Sequence, residues 1–107
     1  MKGGFSMVYR VSDVQNLLSG LIDARRFYDS EKAIVAKITI QPGGKLEKHS
    51  SKEFALLFVI SGKVKVVIEN DSYEIEKDSL IEFPQNILHS VENTGDTVAE
   101  VLVVKIK

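Results

Sequence analysis

An all-β fold, closed as a single barrel or sandwich, is what this sequence predicts, and three observations predict it. Apolar and polar residues alternate with period two beyond the N-terminal stretch. Turn-forming groups part these runs at short intervals: Pro42-Gly43-Gly44, Asn70-Asp71, Pro84-Gln85-Asn86 and Asn93-Thr94-Gly95-Asp96. Helical signals are confined to one short segment, where Ser12 or Asp13 can cap a turn through Val14, Leu17 and Leu18 that Gly20 ends.

The elements follow in order. Arg25-Arg26-Phe27-Tyr28 reads as an edge strand with solvated arginines, since long charged side chains normally point to water. Ala36, Ile38 and Ile40 alternate with Lys37 and Thr39 up to the Pro42 turn. Val64, Val66 and Ile68 alternate with charged residues, and Tyr73 and Ile75 do the same after Asn70-Asp71. That pair is a suitable two-residue hairpin, because both residues tolerate positive φ. Three more strands fall at residues 80–83, 87–91 and 98–107. Two strands, at residues 54–60 and 101–104, are apolar at every position. One face of each fills the barrel, so the other needs a cover: the N-terminal segment or a second copy of the chain. The expectation is a homodimer through strand faces carrying Phe54, Leu56, Phe58, Val101 and Val103. A single domain over residues 7–107 is expected, with residues 1–6 as a flexible lead.

Composition excludes several functions. Lys and Arg total 14 against 15 Asp and Glu, so no broad basic field awaits nucleic acid. The apolar runs are too short to span a bilayer as helices, and the N-terminus lacks an apolar signal core. With no cysteine, disulfides, thiol catalysis and thiolate metal sites are excluded, and a cytoplasmic location fits. Ser50, Ser51 and Ser61 lack the glycine context of a nucleophile elbow.

Chemistry therefore centres on the two histidines. His49 lies in Pro42-Gly43-Gly44-Lys45-Leu46-Glu47-Lys48-His49-Ser50-Ser51, which runs on through Ala55 to Gly62. His89 lies in Pro84-Gln85-Asn86-Ile87-Leu88-His89-Ser90-Val91-Glu92-Asn93. Together these stretches resemble the paired signature of the cupins. Gly43, His49 and Gly62 fall on anchors of the first motif, and Pro84, His89 and Asn93 on anchors of the second. Asp78 and Asn86 stand where glycines are usual, and Asn is the best substitute where φ must be positive.

The resemblance implies a cupin β-barrel of the double-stranded β-helix, jelly-roll type. It also implies a site in which imidazoles and a carboxylate hold Mn, Fe, Ni or Zn in an open coordination sphere. Two of the usual ligand positions depart from it, with Ser51 at the second histidine and Ala55 at the carboxylate. Glu47 or Glu53 is the candidate replacement, since either shares strand parity with His49.

Three functions stay open on these residues. The first is a non-catalytic or weakly catalytic barrel that binds a small, largely apolar ligand. His49, Ser51, Ala55, Leu57, Val59, His89 and Val91 would line its site, with Ile87 beside them. The second is a metal-dependent oxygenase, isomerase or lyase built on His49 and His89. The third is a structural dimerisation module.

Overall fold

The computed structural model describes residues 7–107. The lead expected at 1–6 lies outside the described residues. Nine strands form among them: β1 (Ile22–Asp29), β2 (Ala33–Ile40), β3 (Lys45–His49), β4 (Phe54–Ser61), β5 (Lys63–Ile68), β6 (Asp71–Glu76), β7 (Leu80–Phe83), β8 (His89–Glu92) and β9 (Ala99–Ile106). All pair antiparallel. One sheet has the order β1-β2-β9-β4-β7 and the other β3-β8-β5-β6. Ile40, Leu57, Val59 and Val101 from the first sheet and Val64, Val66 and Val91 from the second are fully buried in one shared core. This is the all-β fold that the alternation and turn spacing imply, in the jelly-roll form that the resemblance to the cupins implies.

The N-terminal helical turn is shorter than expected and lies earlier. A 3₁₀ turn spans only Val11–Asp13, and Val14 is already extended. Asn16 explains the change. Its Oδ1 accepts the backbone N–H groups of Leu18 and Ala24 at 3.0 and 2.8 Å, while the Leu17 N–H donates to the Ala24 carbonyl at 2.8 Å. These bonds tie the segment to β1 and offer its backbone an alternative to helix. The β5–β6 loop also shifts by one residue, because Ile68 pairs with Asp71 and leaves Glu69-Asn70 as the turn. The register that sets Ile75 beside Val64 on the core face decides it.

Register also decides what the apolar strands present outward. On β9, Ala99 and Val101 are fully buried, whereas Leu102 and Val104 pair with Phe58 and Leu56 on the outer face. Val101 and Val103 thus belong to the interior, and the outward apolar residues are Leu56, Phe58, Leu102 and Val104. A bulge between Arg26 and Tyr28 reverses the parity of β1 and pairs Tyr28 with outward Val35. There Tyr9 packs edge-on against Tyr28 with ring centroids 4.9 Å apart. The N-terminal segment therefore covers the β1 end of this face.

Three backbone positions hold the turns in place. Gly62, with φ of 74°, carries the chain from one sheet to the other, and a Cβ there would lie 2.7 Å from the Val98 carbonyl. Asp78 and Asn86 take φ of 66° and 63°, the conformation their places in the motif demanded. Asn93, buried between the sheets, is the principal polar tie. Its Nδ2 donates to the carbonyls of Ile40 and Thr97 at 2.9 and 2.8 Å, and its Oδ1 accepts from Gly95 N–H at 2.9 Å. Asn93→Ala leaves two carbonyls and an amide without partners and is expected to cost about 2–4 kcal/mol. Urea denaturation measures it, and a loss below about 1 kcal/mol would mean that water replaces the amide freely.

Candidate functional site

The two histidines are forty residues apart in the chain, and strand pairing makes them neighbours. β3 runs antiparallel to β8, and His49 pairs directly with His89. Their rings lie 4.5 Å apart at 63°. His89 is buried and stacks on Phe83, with centroids 4.1 Å apart and planes within 5°. His49 is exposed at the strand end. Each ring is oriented by the backbone two residues earlier: His49 Nδ1 lies 3.0 Å from the Glu47 carbonyl and His89 Nδ1 lies 3.1 Å from the Ile87 carbonyl. A carbonyl only accepts, so both Nδ1 atoms carry the proton and both Nε2 atoms are left for a ligand.

The histidines sit in the wall of a cavity of about 280 Å³ inside the barrel. Of the residues expected there, His49, Ser51, Ala55, Leu57, His89 and Val91 line it. Val59 does not: it is fully buried one layer further along β4, opposite Val101. Ile87 supplies only its carbonyl to His89 and is not part of the wall. Leu17 and Leu18, expected in a helix, instead stand half-exposed at the cavity, where the Asn16 bonds hold them.

Sequence reasoning missed both of the cavity's basic side chains. Arg26 and Lys105 line the same cavity. β1 is an edge strand and Arg26 stays half-exposed, as expected, yet its side chain also lies along the cavity. Parity puts Lys105 on the face of Val101 and Val103, and only the register of β9 makes that face the inner one.

The candidate carboxylates do not join the histidines. Glu47 projects into solvent, 3.9 Å from Lys45 Nζ. Glu53 accepts a 2.8 Å bond from Ser51 Oγ and does not line the cavity. Among the described residues, no three His, Cys, Asp or Glu are grouped as metal ligands. The donor set here does not fit the ion that the full signature would hold.

Electrostatics in the cavity run positive. Burial pushes the His89 pKa below its ordinary value, and the nearby charges of His49 and Lys105 push it the same way, against the hydrogen bond to Ile87. No Asp or Glu among the described residues lines the wall.

Comparison with known proteins places this architecture. Residues 36–105 match the family model described as a cupin domain. The chain belongs to the cupin family. Cupins often bind transition metals and small ligands, and they often form oligomers. This cupin is 26% identical over 77 residues to an uncharacterized protein of Methanocaldococcus jannaschii, a match covering 70% of this chain and 61% of that one. It therefore spans about three fifths of that relative's length. Among solved structures, a predicted oxalate decarboxylase of Thermotoga maritima superposes with a TM-score of 0.84 at 25% identity, covering 94% of this chain and 98% of that one. An RmlC-like cupin of M. jannaschii with a double-stranded β-helix fold gives 0.82 at 19% identity, covering 97% and 93%. No helix among the described residues is long and apolar enough to cross a membrane.

The lowered His89 pKa has a consequence for stability. Above about pH 6.5 the ring is neutral in both folded and unfolded chains; below it, the unfolded chain takes up a proton that the folded cupin resists. Stability therefore falls as the solution is acidified through that range. His89→Gln removes this component, so its loss of stability between about pH 7 and about pH 5.5 is expected to be smaller than wild type's. Urea unfolding at both pH values checks it, and equal slopes would contradict it.

Proposed function

We propose that this cupin binds a small, largely apolar ligand inside its barrel, with little or no catalysis of its own, and acts in the cytoplasm. The observation that carries the reading is the cavity. Leu57, Val91, Ile38 and Val103 wall most of it, and its polar groups are few. Its volume of about 280 Å³ lies at the lower limit of ligand pockets, roughly 300–1,000 Å³. At about 30 Å³ for each water-sized atom, it holds a ligand of roughly ten non-hydrogen atoms. The Nε2 atoms of His49 and His89 and the hydroxyl of Ser51 supply the polar contacts.

Phenylacetamide is a neutral probe of suitable size. Calorimetry is expected to show saturable binding to wild type, and Ala55→Trp, which fills the cavity, weakens it at least about tenfold. Metal analysis of the untagged protein bears on the enzyme alternative. Near-stoichiometric Fe, Mn, Ni or Zn, lost on His89→Ala, would replace this reading with a metal-dependent oxygenase, isomerase or lyase. The similarity to a predicted oxalate decarboxylase of T. maritima makes that comparison worth running.

The second part of the proposal is self-association through the outer face of the five-stranded sheet. Leu56, Phe58, Leu102 and Val104 form its apolar centre, with exposed Leu80 and Ile106 beside them. A surface of this kind is costly in water and is relieved by a second copy. Light scattering at micromolar concentration is expected to give twice the 11.9 kDa chain mass. Phe58→Glu is expected to return the monomer, and a monomeric wild type would sink the idea.

A further inference from the structure

We infer that the ligand is an organic monoanion, whose carboxylate meets Lys105 and Arg26 while its apolar body fills the barrel. This rests on the proposed ligand-binding reading and names the class of ligand.

Lys105 carries the argument. It lies on β9, with β2 on one side and β4 on the other, and its register partners are Ile34 and Ala55. Both partners line the cavity, as Lys105 does. An ammonium facing inward from the middle of a sheet is expected to have an anion or an acceptor beside it. Among the described residues, none gives the Lys105 ammonium an ion pair or a hydrogen bond, and its half-buried side chain keeps that group within reach of water. Its charge does reach His89, whose protonation it opposes.

Arg26 adds a second cation from the edge strand. Its one ion pair is a long contact of 3.7 Å with Asp29, both side chains half-exposed. Asp29 also accepts from Lys107 Nζ at 3.1 Å, so Arg26 is held loosely and is available to a ligand. Either cation alone is compatible with a side chain reaching out to water. Two cations from strands of one sheet, lining one cavity with two imidazoles and no acid, form a field that attracts an anion and repels a divalent ion.

Position sharpens the point. Ala55 occupies the place where the family resemblance calls for a carboxylate, and Lys105 is its direct cross-strand partner. This chain lacks the negative group and has a positive one beside the vacated position. A carboxylate brought by the ligand restores the balance through charge-assisted hydrogen bonds. The volume leaves room for that head and for one ring or a short alkyl chain.

Phenylacetate and phenylacetamide differ at the head group and little in size, so calorimetry with both isolates the charge. Wild type is expected to bind phenylacetate at least about tenfold more tightly, the gain of one hydrogen bond to a charged group. Lys105→Met should remove that preference by weakening phenylacetate alone, and Arg26→Gln should weaken it by a smaller factor. The wild-type comparison stands even if a variant fails to fold. Equal affinity for the two probes, or tighter binding of the amide, overturns the anion inference and leaves the apolar-ligand reading intact. Failure of both probes to bind overturns both. A phenylacetate preference that survives Lys105→Met overturns the role assigned to Lys105.

Discussion

The pairing of β9 with both β2 and β4 is the constraint on which the rest of this molecule depends. A strand held on both edges cannot slip by one residue without turning every side chain to the opposite face. Val101 is thereby committed to the core, Val103 and Lys105 to the cavity, and Leu102 and Val104 to the outer face. Core, cavity and exposed apolar surface are all consequences of one register. Gly62 and Asn93 secure it at the far end, where the chain crosses between sheets and where β8 leads back to β9.

The second sheet supplies the histidines by the same logic. The β3–β8 pairing sets His49 opposite His89. Phe83 lies in β7 of the other sheet, yet its ring stacks on His89, so the imidazole bridges the two layers. His89 is thus part of the packing as well as part of the wall. Its Nδ1 is occupied by a backbone carbonyl, and its burial favours the neutral ring. An imidazole in this state offers an acceptor to a ligand without adding a further full charge to a cavity that already has two.

Much of the fold was legible because it is written in local pattern. Period-two alternation located the strands, and Asp78 and Asn86 were recognisable as glycine substitutes because few other side chains tolerate positive φ. Errors arose where a non-local partner competed with local preference. Leu17 and Leu18 have helical spacing, but Asn16 bonds to β1 across the loop and holds them at the cavity. Asn70-Asp71 is a good turn pair, yet core packing of Ile75 beside Val64 moved the turn by one residue. For strands apolar at every position, alternation carries no information about which face is inside, and Val101 and Val103 were assigned outward for that reason.

By itself the sequence determined an all-β barrel or sandwich, the approximate places of its turns, and the confinement of imidazole chemistry to His49 and His89. These follow from alternation, from backbone dihedral preference and from residue chemistry, all of which act over a few neighbouring residues. The tertiary structure alone decided which charges share the cavity. Arg26, Lys105, His49 and His89 come from four different strands, and a bulge and three strand registers settle which way each points. Glu47 and Glu53 lie close to His49 in the chain and outside its cavity in space, because a register shift between Leu46 and His49 and a bond to Ser51 turn them elsewhere. Charge composition is a property of the whole chain; the sign of the field inside the barrel is a property of its register.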